Sequence, residues 1–311
     1  MKTNLLPIIA CCIATTSTQS FAETNTSIAS SAPIQLNQEY TSDTGAANRI
    51  GAADRLRTLS QEISAETCFL HNDVLPDHNH AALTNSTEEF DSILNALLNG
   101  DADRDIIGAE ERIKTIREIE AITAEWEPIH QAIDAVLADP TNTTPVHLIY
   151  AESDHLLETT SHLLSELEAE YSHPAQVFMS DVMLIEFSGR QAMLTQKIAY
   201  DACLVWSGHG GQEQIDELKE VSQQFDLIAQ AVQGGMPDAG LAAAPTDEIH
   251  QALEAVAADW SEVQVYLTNI IEVGATDTAE ISWVDEALTS KMHQMEAIVD
   301  MYVAYSRRFV I

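Results

Sequence analysis

Apolar residues recur along most of this chain at the three- and four-residue steps that are typical of amphipathic helices. In RLRTLSQEISAETCFL, which runs from Arg55 to Leu70, the pattern is kept by Leu56, Leu59 and Ile63. No run of alternating β-branched residues indicates a sheet. The pattern therefore predicts an all-α protein.

A second stretch, RQAMLTQKIAYDACLV from Arg190 to Val205, repeats the first after a shift of 135 residues, with five of sixteen positions identical. The same shift aligns FDSILNALLNG with FDLIAQAVQGG, and a shift of 134 aligns EAITAEW with EAVAADW. A repeat that keeps its register over several blocks indicates tandem copies of one domain. We expect a first copy over residues 45–173 and a second over residues 174–311.

Each copy is expected to contain four helices, because residues that end helices divide its apolar pattern into four. Short loops between four helices predict an antiparallel bundle, so the expected fold is two tandem antiparallel four-helix bundles. The pattern leaves open whether they stack end to end or side by side. Besides the helix that contains RLRTLSQEISAETCFL, the predicted helices are 87–98, 109–137, 146–171, 174–206, one that ends at 233, 246–273 and 279–309.

The first residues, MKTNLLPIIACCIATTSTQSFAET, have the features of a secretory signal peptide. They combine Lys2, an apolar run and a small-x-small sequence that ends at Ala22. We therefore expect residues 1–22 to be removed on export. Lipoprotein-type cleavage before Cys11 is the alternative, disfavoured because the apolar run before it is very short. Residues 23–44 are mostly polar and predict a flexible N-terminal arm, and no later stretch has the roughly 18 apolar residues of a membrane span.

The chain is strongly acidic, with a formal charge of −35 from 14 Lys and Arg against 49 Asp and Glu. This balance argues against binding to nucleic acid or to an anionic membrane surface, since both need clustered cations. Beyond the signal peptide, Cys68 and Cys203 occupy equivalent positions of the repeat. In an oxidising compartment they are a candidate disulfide if the copies lie close together. The alternative is two small residues packed in equivalent cores.

Arg57 shares a helix face with Gln61, Ser64 and Cys68, because these residues lie three or four positions apart. A guanidinium with amide and hydroxyl groups one turn away is suited to holding a small planar oxyanion. Arg55 lies on a different side of the helix. The alternative is that these arginines pair at the surface with some of the many carboxylates.

The stretches GAADRLRTLSQEIS and FSGRQAMLTQKIA resemble the first-helix motif of the NarX-like/PilJ N-terminal sensor family. The resemblance implies periplasmic four-helix bundles, as in nitrate/nitrite sensor kinases and in transducers linked to type IV pili. It also implies that two first helices meet across a dimer and that one Arg of the motif binds the anion. Family sensors continue into a transmembrane helix, which this sequence lacks. We therefore expect output through a membrane sensor or a chemotaxis or pilus component.

The resemblance places the anion-binding Arg at Arg57 in the first copy, whereas the second copy has Ala192 there. Asp54 stands where the second copy keeps Gly189, and a carboxylate at that position would neutralise Arg57. Each copy thus keeps part of the motif. The candidate ligand-binding residues are Arg57, Arg55, Ser60, Gln61, Arg190, Thr195 and Gln196.

Other chemistry finds little support in the sequence. The histidines between His71 and His80 match no zinc-site spacing, so we expect no metal. The stretch 101–112 begins like a calcium loop but lacks its glycine and its final acid. There is no nucleophile elbow, P-loop or dinucleotide fingerprint. We expect no cofactor and no enzymatic activity.

The leading hypothesis is an exported, non-catalytic protein that senses or captures a small anion such as nitrate or nitrite through the first-helix Arg motif. The alternative is a periplasmic scaffold or adaptor, in which the motif persists only as packing. In that case the bundles bind a membrane sensor or a type IV pilus system without any small ligand. The resemblance leaves a homodimer open.

Overall fold

The structure is a computed structural model that describes residues 45–172, 177–258, 260–274 and 277–307. Within these ranges the protein is all-α, as the hydrophobic pattern predicts. The described residues form nine α-helices, and their only β-type pairings are isolated bridges. The predicted signal peptide, the predicted N-terminal arm and the predicted join between residues 173 and 174 fall outside the described residues.

The first copy forms a four-helix bundle in which α1 and α3 each pack against both α2 and α4. Gly45 before α1 and Gly100 after α2 have φ of 68° and 81°, which residues with side chains rarely adopt. Asn142 caps α4, because its side chain accepts from the Thr144 N–H at 3.2 Å. The helices are α1 (Ala46–His71), α2 (Pro76–Asn99), α3 (Ile113–Ala138) and α4 (Thr143–Tyr171).

The predicted start of α2 near residue 87 is wrong, because the chain is helical from Pro76 onward. Proline suits the first position of a helix, where no N–H donor is needed. The buried Asn79 side chain then donates to the Val74 carbonyl at 2.9 Å and fastens this end of the helix. Residues 76–80, the second half of the histidine-containing stretch from His71 to His80, therefore form the beginning of α2.

The second copy repeats this plan, with α7 and α8, on either side of residue 259, in the place of α3. Helix α5 packs against α6 and α9, and α7 and α8 both pack against α9. The loops repeat as well, because one bridge joins Asp101 to Ile106 and an equivalent bridge joins Met236 to Leu241. The helices are α5 (Met179–Ser207), α6 (Gln212–Gly234), α7 (Asp247–Ala258), α8 (Trp260–Val273) and α9 (Thr278–Ser306), with a 3-10 turn at Pro237–Ala239.

An aromatic pair occupies the same place in both copies. Phe90 stacks on Trp126 and Phe225 lies against Trp260, with ring centroids 4.1 Å apart in each pair. Each indole N–H also donates to the aspartate that follows the phenylalanine. The repeat in the sequence is therefore also a repeat in packing.

The two first helices, α1 and α5, pack side by side. Cys68 and Cys203 form a disulfide, with Cα atoms 6.2 Å apart. Two heptads earlier the Asp54 carboxylate lies against Gly189, so closely that a methyl group at position 189 would overlap it. Both contacts join residues related by the 135-residue shift, so the helices run parallel about a pseudo-two-fold axis. The contacts are 14 residues apart on each helix, or about 21 Å.

Helices α1 and α5 thus lie at the centre of one continuous core that includes both copies. The copies are arranged side by side, which the pattern had left open. Along the described ranges, no helix combines the length and the hydropathy needed to cross a bilayer.

Candidate functional site

The paired helices carry many buried polar side chains. A helix enclosed on all sides is normally apolar, because a buried polar group is costly without a partner. Helix α1 instead buries Asp54, Arg57, Gln61 and Glu62. The packing surface between α1 and α5, which we call the α1–α5 seam, is therefore the candidate functional site.

Arg57 extends from α1 towards α5 and is 4% exposed. Its guanidinium pairs with Asp54 one turn earlier on α1. It also reaches Glu186 of α5, with Nη1 3.4 Å from Oε1 and Nη2 3.3 Å from the backbone oxygen. Its Nε is buried and has no hydrogen-bond partner among the described residues. The charge of Arg57 is therefore compensated, but one donor is unused.

Glu186 is shared by arginines from the two copies. Arg190, one turn further along α5, donates to the same Oε1 from Nε at 2.9 Å and from Nη2 at 2.6 Å. The side chain of Arg190 is 45% exposed, so the two guanidiniums extend from solvent to the α1–α5 seam. One carboxylate oxygen thus lies between two guanidiniums, which is an arrangement that suits a bound oxyanion.

These arginines face a groove between α4 and α5. Both helices pack on α1 but make little contact with each other within the described residues. The space between them is about 630 Å³. We call it the Arg57 groove. Its walls are Arg57, residues of α4 from Leu157 to Ala169 with Ser172 just after that helix, residues of α5 from Met179 to Met193, and Gln224 of α6.

The pseudo-two-fold axis gives this groove a counterpart of about 370 Å³, the Arg55 cavity. Arg55 pairs there with Glu62 at 2.6 Å, with Glu89 at 2.7 Å and with Glu296. Three carboxylates around one guanidinium leave this cavity negative. It also has Ala192 where the groove has its buried arginine. Arg104 also lines this cavity but pairs separately with Asp101, whereas in the Arg57 groove two arginines share one carboxylate oxygen.

The hydroxyl and amide residues of the motif line neither space. Ser60 and Thr195 each donate to the carbonyl three residues earlier on their own helix, at 2.7 and 2.6 Å. Gln61 donates to Ser153 of α4 at 3.3 Å, and Gln196 is buried. The expectation that these residues assist Arg57 is therefore corrected. The structure joins Arg57 with Arg190, places Arg55 in the other cavity and packs Ser60, Gln61, Thr195 and Gln196 into the core.

Burial raises the pKa of two carboxyl groups near Arg57. The pKa of Asp54 rises to about 6, because burial outweighs the attraction of Arg57. Glu168 of α4 lines the groove, and burial, followed by the charge of Glu186, raises its pKa to about 7. Burial alone lowers the pKa of the Arg57 guanidinium, but the negative charges of Asp54 and Glu186 outweigh burial, so the pKa is raised. Arg57 thus stays charged while neighbouring carboxylates begin to protonate near neutral pH.

Two histidines beside the connection between α1 and α2 contact the chain at the end of α3. His71 Nδ1 lies 2.6 Å from the Pro140 oxygen, and His80 Nε2 lies 3.2 Å from the Leu137 oxygen. These two contacts therefore join the connection between α1 and α2 to the connection between α3 and α4 in the first bundle. Over the described ranges, no three His, Cys, Asp or Glu side chains are grouped as a metal ion would require.

Two carboxylates of the site, Glu186 and Glu168, were not predicted from the sequence. Glu186 precedes Arg190 by four residues, a spacing that predicts an ion pair on a helix and could have identified it. Glu168 belongs to α4, and its position depends on how α4 packs beside α5. No local pattern in the sequence signals it.

The fold and the site define a duplicated helical-bundle protein in which two first helices pair through a polar seam. Residues 40–150 and 180–284 match the PilJ family model, described as the type IV pili methyl-accepting chemotaxis transducer N-terminal domain. These segments cover more than half of the chain, so the chain belongs to this family and contains its domain in two copies. Domains of this family are periplasmic sensory domains associated with a membrane chemotaxis or pilus system. No curated protein matches the chain.

Proposed function

We propose that this chain is an exported, non-catalytic sensory or ligand-capture protein that binds a small anion between Arg57 and Arg190. The observation that carries the proposal is the single carboxylate oxygen of Glu186 held between these two guanidiniums. In this proposal Glu186 occupies the anion position when no ligand is bound. The output passes to a membrane chemotaxis or pilus partner, the system with which the family is associated.

Three features support an anion in the Arg57 groove over one in the Arg55 cavity. The groove has two arginines, one of them with an unused buried Nε donor. The cavity is lined by Arg55 and Arg104, but Arg55 lies inside a ring of carboxylates and Arg104 pairs separately with Asp101. The groove is also the larger space, and it lies beside the α1–α5 seam, where a bound ligand can alter the packing of the two copies.

The test is thermal unfolding of the protein at constant chloride with a panel of anions, namely nitrate, nitrite, acetate and hexanoate. A ligand at a hundredfold excess over its Kd adds about 2.7 kcal/mol to the free energy of unfolding. For a protein of this size the Tm rises by roughly 5–10 °C. Arg57→Ala should abolish the rise. Glu186→Gln should enlarge it, because the internal competitor loses its charge. Arg117→Ala, which removes an exposed arginine of α3, is the matched control and should keep the rise.

A second candidate function is a scaffold that binds a partner protein without a small ligand. The full compensation of Arg57 by Asp54 and Glu186 favours it, because a paired guanidinium needs no further anion. Equal Tm values with and without anions, in the native protein and in Glu186→Gln, would overturn the anion proposal and leave the scaffold.

A further inference from the structure

The Arg57 groove is much larger than an inorganic oxyanion. Its volume of about 630 Å³ falls within the range of roughly 300–1,000 Å³ that is typical of pockets for organic ligands. A four-atom ion such as nitrate would touch the arginines and leave most of the groove to water. The size therefore indicates a ligand that has a larger uncharged part as well as a charged group.

The walls of the groove carry apolar residues on both sides of the charged residues. On α5, Val182 and Met183 lie one turn before Glu186, and Met193 lies one turn after Arg190. On α4, Leu164 lies one turn before Glu168, and Leu157 lies two turns further back. A charged band thus crosses a groove whose remaining lining combines aliphatic, thioether and aromatic side chains with four polar residues, Ser161, Ser165, Ser172 and Gln224.

Because Glu186 already pairs with both arginines, contact with the apolar residues of the walls determines which ligand can replace it. An inorganic anion offers only charge and hydrogen bonds, and Glu186 already supplies both to Arg57 and Arg190. A ligand with an apolar tail adds burial against the walls, which the short Glu186 side chain does not. Each methylene group buried in this way tightens binding by about fourfold.

We infer that the ligand is an organic monocarboxylate, an inference that rests on the proposed anion site. Its carboxylate replaces the Glu186 carboxylate between Arg57 and Arg190, and its hydrocarbon body lies along α4 and α5. The ligand class is therefore an aliphatic or aromatic acid of moderate length. Nitrate and nitrite bind weakly or not at all in this assignment.

The experiment is a calorimetric titration of the full chain with acetate, butanoate, hexanoate, octanoate and nitrate. The expected result is weak or undetectable binding of nitrate and acetate, and a Kd that falls about tenfold or more with each pair of added methylene groups. Octanol, which has the tail without the charge, should bind far more weakly than octanoate.

Three variants separate the charge from the apolar wall. Arg57→Ala and the more exposed Arg190→Gln should each weaken octanoate by tenfold or more, and the second keeps the test valid if the first fails to fold. Met183→Gln, in a half-buried wall residue, should flatten the dependence on chain length.

The outcomes distinguish the inference from the proposed function. A Kd independent of chain length, with nitrate as tight as octanoate and sensitive to Arg57→Ala, would overturn the organic-acid inference and leave the anion site standing. Binding that is insensitive to both arginine variants, or no binding of any anion, would overturn the anion site and the inference together.

Discussion

Removal of the disulfide between Cys68 and Cys203 should cause a large loss of stability. The bond closes a loop of 135 residues. The entropy that such a crosslink removes from the unfolded chain corresponds to about 5 kcal/mol for a loop of this length. Measured values often fall below this limit, so we expect Cys68→Ala/Cys203→Ala to lose about 3–5 kcal/mol. Alanine is the suitable replacement, because both sites are fully buried and apolar.

The assay is urea unfolding followed by circular dichroism. With an m-value of about 3 kcal/mol/M, the loss lowers the urea midpoint by roughly 1–1.7 M. The Tm should fall by roughly 10 °C. Native protein unfolded in the presence of a thiol reductant provides the control, because it loses the crosslink but keeps both sulfur atoms.

Two results would refute this reasoning. An unchanged midpoint in the double variant would show that the crosslink does not constrain the unfolded chain. A drop in the double variant without a drop in the reduced native protein would assign the loss to packing around the sulfur atoms. Mass spectrometry of peptides alkylated before reduction should find Cys68 and Cys203 unmodified.

Three further perturbations test the packing and the buried charges. Gly189→Ala should cost about 1–3 kcal/mol, because the new methyl group meets the Asp54 carboxylate. Asp54→Gly in the same chain should recover most of that loss, and additive losses in urea unfolding would contradict the contact. Burial raises the pKa of Asp201 to about 8 in the native protein. Protonation of this carboxyl therefore stabilises the native form, and this contribution to the free energy of unfolding is lost as pH rises through 8. Asp201→Asn should therefore reduce the fall in urea midpoint between pH 5 and pH 8, by an amount worth roughly 1–3 kcal/mol, whereas an identical pH profile would exclude this role. Phe90→Ala, which removes the ring that stacks on Trp126, should cost about 3–5 kcal/mol, and a loss below about 1 kcal/mol would show that this pair contributes little.

The helical class and the duplication could be predicted from the sequence, because both depend on local spacing. The 3.6-residue periodicity marks the helices, and the 135-residue register marks the copies. The predicted start of α2 is too late in the chain, because the polar histidines that follow Pro76 weaken the apolar pattern at the beginning of the helix. Before residue 87, Leu83 is the one apolar side chain of α2 that is buried, so the periodic signal is weak there.

The relation between the copies could not be predicted, because it depends on which faces of α1 and α5 meet. Arg57 was identified as the site from its motif, but its partners Glu186 and Glu168 come from other helices. Ser60 and Gln61 lie near Arg57 in the sequence, yet Ser60 donates to the Arg57 backbone carbonyl and Gln61 donates to Ser153 of α4. Proximity along one helix therefore did not reveal which groups face the groove.

The pairing of α1 with α5 has a consequence for how this protein behaves at low abundance. Two separate subunits come apart on dilution, and the fraction that is paired follows their concentration. Here both partners belong to one chain and are held by a covalent bond at Cys68 and Cys203. The second helix is thus always present at a high effective concentration. A cell that makes only a few molecules has the seam, and the groove beside it, fully assembled in every one of them.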